Sequence, residues 1–355
     1  MLLFIVLVCV MALVNLFSST WSGGPEPSSV FYKQLYIVLG GFGLLLFLVS
    51  FDYRELEALG FVFYVIIILL LLYTDFFVHT IAGTQRWINL GFFRLQPSEP
   101  AKLILVIVLA SYFSRRELGE GCGLRDIIKP GILIAIPFIL IMIQPDLGTA
   151  LMLGIIFVSM VLFVKMRWST MVFLASLGLS CGVVLWQFLL KDYQRRRIET
   201  FLNPESDPMN QGYQIMQSKI AVGSGQIFGK GFMKGTQGHL HFLPERHTDF
   251  AFSVWAEEWG FSGSVFFLGC YFFMLLWGIN VAMSARDKFG VLLAFGIVML
   301  IFWQAVINIL MIIGLLPVVG IPLPLFSYGG SSLLTTLISL GLLMNIRMRR
   351  FQDKV

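Results

Sequence analysis

Ten stretches of apolar residues, each about as long as a helix needs to be to cross a ~30 Å hydrocarbon core, constrain this chain more than any other feature. They fall at 1–17, 33–50, 59–74, 98–113, 130–143, 150–164, 169–190, 250–282, 289–315 and 328–346. Those at 98–113, 130–143 and 150–164 are short, which suits tilted helices or helices buried against others. Only 13% of residues are charged, against roughly 25% in an ordinary soluble domain. The expected fold is an all-α integral membrane protein of about ten transmembrane helices, a single polytopic domain over 1–355. Between spans seven and eight it carries one large structured loop, 191–250.

The first stretch, "MLLFIVLVCVMALVNLF", has no basic leader and no small-x-small cleavage site, so it reads as a retained helix. With the N-terminus inside, the inner loops hold Arg54, Arg115, Arg116, Arg125, Lys129, Lys165, Arg167, Arg286, Lys288, Arg347, Arg349, Arg350 and Lys354. The opposite loops, leaving aside 191–250, hold only Lys33, Arg86, Arg94 and Lys102. This bias places both termini in the cytoplasm and the 191–250 loop outside, since long loops cross largely regardless of charge. The net charge of +5 is then an orientation signal and not a nucleic-acid footprint. Cys9, Cys181 and Cys270 fall in spans and Cys122 in an inner loop, which excludes an outer disulfide framework.

Polar residues gather at a few points. In the long loop, Tyr213, Met216 and Ile220 fit one face of a short helix that the glycines of "GSGQIFGKG" terminate, and those glycines read as a flexible hinge. A phosphate-binding loop is excluded, because Ser224 stands where glycine is required and Gly231 where serine or threonine is. The outer compartment holds little nucleotide triphosphate, so bond-making there must draw on an already activated substrate. In "TQRWINLGFFRLQPSEPAKL", Arg86, Arg94, Glu99 and Lys102 reach the membrane, and Glu99 and Lys102, three apart, can pair on one helix face. Asp146 in "QPDLGTA" sits in the tight turn between spans five and six, where a helix cap is the simplest role. Arg195, Arg196 and Arg197 stand where span seven ends, and guanidinium groups match phosphate oxygens, whether of lipid headgroups or of a specific diphosphate.

The stretch "LPERHTDFAFSVWAEEWG" concentrates Glu245, Arg246, His247, Asp249, Glu257 and Glu258. His239, His241 and His247 do not have the spacing of a strong zinc signature, and no G-x-S-x-G nucleophile elbow is present. Asp249 lies where a charged loop enters an apolar helix, so burial can lift its pKa toward that of a general base. An N-cap of span eight is the structural alternative. A carboxylate base beside cations at a membrane surface suits a sugar hydroxyl attacking a diphosphate-linked lipid. Glu257 and Glu258 have no role that the sequence explains.

Together with "QPDLGTA", "DYQRRR", "NPESDPMNQGYQIMQSKIAVGSGQIFGKG" and "GLLPVVGIPLPLFSYGGSSLL", in this order from about residue 82 to 335, these blocks resemble the SEDS family (shape, elongation, division and sporulation). Arg246 gives the central stretch its elongation-type form, where division-type members more often have alanine. Pro100 and Ala251 depart from the family pattern without touching a charged position. The resemblance implies a ten-helix peptidoglycan glycosyltransferase that polymerises lipid II for cell elongation and rod shape. Its expected partner is a class B penicillin-binding protein. It places the essential aspartate on Asp249, and cavity-lining residues on Arg86, Arg94, Glu99, Lys102, Asp146, Gln194 and Arg197. A divalent cation such as magnesium could share the leaving group's charge, although no ligand set is evident in the sequence. A lipid II flippase and a non-catalytic scaffold are the rival readings.

Overall fold

In lipid the backbone must satisfy its own hydrogen bonds, so each apolar stretch folds as a helix. The computed structural model describes residues 1–351 apart from 22–26, 79–85, 90, 92, 117–120, 175, 177–191, 208–210 and 240–241. The expected spans lie on α1 (Leu2–Thr20), α2 (Ser29–Ser50), α3 (Glu55–Phe77), α4 (Ser98–Ser114), α5 (Leu124–Ile143) and α6 (Leu147–Phe163). The seventh begins as α7 (168–174); the rest of it, with Cys181, lies outside the described residues. After the excursion come α11 (Ala251–Ser284), α12 (Lys288–Ile312) and α13 (Gly330–Met348).

Seven of these helices are long and apolar enough to cross a membrane unaided. The short α4 and α6, with 17 residues each, are as brief as their sequences suggest. Instead of being short, α5 has 20 residues, because Asp126 accepts a hydrogen bond from the Gly123 N–H at 3.1 Å and starts the helix before its apolar part. Ser28, Asp146 and Asp287 are themselves the N-cap residues of α2, α6 and α12, each accepting from the backbone N–H three residues on. α4 and α12 pack against each other and α6, while α2 lies along α13. Glycines allow close approach: Gly41 faces Leu337, and Gly296 faces Val106 and Met160.

The two ends of the bundle differ. At one, Arg116 pairs with Asp126 at 2.8 Å, Arg349 with Asp52 at 3.5 Å and Arg54 with Asp287 at 3.8 Å. These pairs tie together helix turns rich in basic residues. The other end carries a two-residue hairpin, β1 (Ile88–Asn89) with β2 (Arg94–Leu95), and the excursion.

The excursion contains α8 (Asp192–Leu202), a 3-10 turn at Pro204–Ser206, α9 (Gln211–Ser224) and α10 (Thr236–His239). α9 buries a face other than the expected one: Gly212, Ile215, Ser218, Ala221 and Gly225 point inward, and Ile220 is exposed. The close fit against α11 selects small residues there; Ser218 meets Ser253 at 2.8 Å and donates to the Ile312 carbonyl at 2.8 Å.

α11 is broken at Gly260, whose φ of 65° is open to glycine at little cost. The groups freed by the break are taken up by the glycine-rich loop. Phe261 N–H donates to the Gln226 carbonyl at 2.8 Å and Ser262 N–H to Ile227 at 2.9 Å. In return, Lys230 and Gly231 N–H donate to the Glu257 and Glu258 carbonyls at 3.0 Å. Gly229, with φ 78°, lies against the backbone of Glu258 where a side chain would collide. The loop is therefore a docked plug and not a hinge.

Candidate functional site

Asp249 sits in the turn that delivers the chain from the excursion into α11. The turn is closed by Thr248 N–H and Phe250 N–H, both donating to the Glu245 carbonyl at 3.2 Å. Its position is fixed from outside the turn: Asn308, buried in α12, donates to the Asp249 carbonyl at 2.9 Å and to the Ile321 carbonyl at 2.8 Å. Tyr328 N–H donates to the His247 carbonyl at 2.8 Å, and Asn15 of α1 donates to the Ala251 carbonyl at 3.0 Å. Three separate parts of the chain thus hold one short loop.

The Asp249 side chain keeps some accessible surface yet has protein on all sides, as at the floor of a cleft. Burial pushes its carboxyl up to about 7, helped by the negative charges of Glu245 and Asp146 and opposed by Arg197. The structure therefore brings Asp249, Asp146 and Arg197 into one electrostatic neighbourhood. Burial also lowers the His247 imidazole, partly offset by Glu245.

Asp146 does more than cap α6. It accepts from Thr149 N–H at 3.3 Å and Thr149 Oγ1 at 3.0 Å, and also from Gln96 Nε2 at 3.0 Å. Arg86 stands 3.9 Å from it and spends its other donors on the Gln144 carbonyl at 2.7 Å and the Pro145 carbonyl. Arg86 and Gln96 thereby join the segment before α4 to the α5–α6 turn.

Glu99 and Lys102 form the expected i, i+3 pair at 2.9 Å, and both are buried, 3% and 1% exposed. The Lys102 ammonium is thus engaged inside α4, one turn from Ser98, which itself lies 3.4 Å from Asp146. Arg94, on β2, lines a cavity of about 500 Å³ with Lys33, Trp87, Phe93, Thr248 and Tyr328. Ser331 of α13 pins that hairpin, accepting from Gln96 N–H at 2.9 Å and donating to the Arg94 carbonyl at 3.1 Å. Gln194 lies on α8; its side chain lies outside the described residues, as does His241.

The two unexplained glutamates anchor the excursion. Glu257, fully buried, accepts from Lys230 Nζ at 2.6 Å, Thr236 N–H at 2.9 Å and Gln237 N–H at 3.1 Å, so it caps α10. Glu258, 1% exposed, accepts from Ser18 of α1. Sequence reasoning also missed Asn308 and Asn15, although a buried amide in an apolar span is itself a signal. Among the described residues, no three His, Cys, Asp or Glu side chains converge as a metal site.

Fold and site together define a multi-pass helical membrane protein with a buried carboxylate, Asp249, near Arg197 and beside a cavity that Arg94 lines. The chain belongs to the SEDS family: the FtsW, RodA and SpoVE family model, described as cell cycle protein, matches residues 1–352. It is 37% identical to the peptidoglycan glycosyltransferase MrdB of Escherichia coli K12 over 332 residues, 93% of this chain and 89% of that one. It is 35% identical to the stage V sporulation protein E of Bacillus subtilis, covering 93% and 90% of the two chains. The fold matches a chain of a solved peptidoglycan synthase complex with a TM-score of 0.84 at 32% identity, covering 99% and 98%. It matches the rod shape determining protein RodA of Thermus thermophilus with a TM-score of 0.72 at 29% identity, covering 99% and 97%.

Proposed function

We propose that the chain is a peptidoglycan glycosyltransferase in which Asp249 acts as the general base. In this reaction Asp249 takes the proton from the 4-hydroxyl of the acceptor GlcNAc as that oxygen attacks the anomeric carbon of the donor MurNAc. The C–O bond to the diphosphate breaks, undecaprenyl diphosphate leaves with the electron pair, and a β-1,4 bond forms with inversion. One base suffices, and no covalent sugar intermediate is needed. The observation that carries this reading is the placement of Asp249, in a loop pinned by Asn308 and Tyr328 beside a cavity lined by Arg94 and Lys33, where burial lifts its carboxyl to about 7, into the range of a base at neutral pH.

Negative charge developing on the leaving diphosphate needs cations already in place. Arg197 is felt electrostatically at Asp249, and Arg94 and Lys33 line the adjoining cavity, so these three are assigned to the diphosphate. Lys102 is engaged by Glu99 and is assigned to holding α4 instead. Trp87, Phe93 and Tyr328 give the same cavity aromatic faces against which sugar rings can rest. A divalent cation such as magnesium would arrive on the diphosphate itself, since the described residues offer no resident ligand set.

Both termini are assigned to the cytoplasm and residues 191–250 to the outer face of the bacterial cytoplasmic membrane, on the charge asymmetry of the loops. A class B penicillin-binding protein is the partner that would crosslink the product; the likeness to a chain of a synthase complex supports this.

Purified protein with its partner and labelled lipid II should make glycan, and Asp249→Asn should abolish polymerisation at unchanged expression. Full polymerisation by that variant would sink the proposal. The same assay separates a lipid II flippase, which moves the substrate intact, and a scaffold, which leaves it untouched.

A further inference from the structure

The basic end of the bundle, opposite the excursion, holds a polar cavity of about 570 Å³. It lies where α3 begins, α4 ends and α12 begins, and is lined by Arg54, Glu57, Ser114, Arg286, Asp287, Lys288 and Phe289. Nothing in the proposed reaction uses it.

Its two acids are already committed to the fold. Asp287 caps α12 through Gly290 N–H at 2.9 Å, accepts from the Tyr53 hydroxyl, and has Arg54 at 3.8 Å. Glu57 accepts from Ser114 Oγ at 2.9 Å and stands 3.4 Å from Arg115. Three cations, Arg54, Arg286 and Lys288, line the cavity against these two engaged acids. Phe289, buried and stacked on Tyr53, closes its inner side at the level where two membrane-spanning helices start.

A basic pocket between transmembrane helices at headgroup depth is suited to a phosphate-bearing lipid head. We infer that this cavity is a binding site for a phosphate monoanion, and that its occupant is the headgroup of an anionic phospholipid. The phosphate would lie between Arg286 and Lys288, with Arg54 behind it. An inorganic phosphate shares the chemistry but lacks the acyl chains that would hold it at the membrane surface.

The test is native mass spectrometry of the full-length protein, delipidated in detergent and exposed to dioleoyl phosphatidylglycerol or dioleoyl phosphatidylcholine. The expected result is one retained phosphatidylglycerol per chain and no comparable retention of phosphatidylcholine. Arg286→Ala with Lys288→Ala should weaken retention by roughly tenfold or more, the size expected for two cations near a phosphate at a membrane surface. Lys129→Ala, which removes an exposed cation of α5 outside the cavity, should leave retention unchanged. Should the double variant misfold, Arg286→Gln with Lys288→Gln keeps the side-chain bulk and serves in its place, and polymerase activity reports folding. Equal retention of the two lipids, or undiminished retention by a folded double variant, overturns the site. Displacement of the lipid by millimolar inorganic phosphate overturns the assignment to a lipid.

Discussion

If Asp249 is the base, the rate must follow its ionisation. A carboxyl with a pKa of about 7 is roughly one tenth ionised at pH 6 and about nine tenths at pH 8. The value of kcat/KM, which reports the free enzyme, should therefore rise about tenfold across that interval. The causes of the shift give two perturbations of opposite sign. Glu245 raises the Asp249 pKa, so Glu245→Gln should move the rising limb to lower pH and make the enzyme relatively more active at pH 6. Arg197 lowers it, so Arg197→Ala should move the limb to higher pH, with a lower plateau because the leaving group also loses a cation.

Initial rates with subsaturating labelled lipid II between pH 5.5 and 8.5 at fixed ionic strength would measure both. A flat profile, or variants that shift the limb in the same direction, would refute the reasoning. The same shift has a stability counterpart. A carboxyl whose folded pKa is raised favours the fold at acid pH and loses that contribution as pH rises toward 7. Asp249→Asn should thus gain stability relative to wild type between pH 5 and 8, by about 1–2 kcal/mol once partial exposure is allowed for.

Three further changes probe the scaffold. Asn308→Leu leaves two buried carbonyls without their donor at a cost of about 1–3 kcal/mol, and should lower kcat more than it raises KM, read from melting curves and saturation kinetics. Lys102→Met strands the buried Glu99 carboxylate and should cost about 3–5 kcal/mol, whereas Glu99→Gln with Lys102→Met should recover most of it; equal losses would contradict the pairing. Gly260→Ala forces a side chain into a backbone conformation, φ 65° and ψ −161°, that is essentially glycine's alone, at about 1–3 kcal/mol, and against the Ile227 carbonyl as well, so thermal unfolding should move down by more than the backbone term alone.

The spans were legible because an apolar run in lipid has one good solution, and Glu99 with Lys102 because i, i+3 neighbours share a face on any helix. Asp249 was legible as a charge at the edge of an apolar helix. Residues acting across long sequence separations were not: Asn308 reaches a carbonyl 59 residues away, and Asn15 one 236 away. The α9 face was misread because apolar size was taken as the sign of burial. Against α11 the backbone approaches too closely for Tyr213 or Met216, and Ser218 and Ala221 fit instead. Glu257 resisted explanation for a similar reason, since its partners are a lysine and backbone amides 20 to 27 residues upstream.

The break in α11 also bears on how the protein is made. Its 34 residues would extend about 51 Å as one rod, well beyond the bilayer core, so Gly260 divides a membrane-crossing part from the short segment next to Asp249. Four peptide groups around Gly260, the carbonyls of Glu257 and Glu258 and the N–H groups of Phe261 and Ser262, find partners in residues 226–231, which leave the ribosome about thirty residues earlier. The membrane-crossing part can be inserted alone, but the segment next to Asp249 can settle only after the glycine loop has reached the same side of the bilayer and docked. The Asp249 carboxylate would then take its place late in assembly, and a chain inserted with this loop on the wrong side would lack that arrangement even with every helix formed.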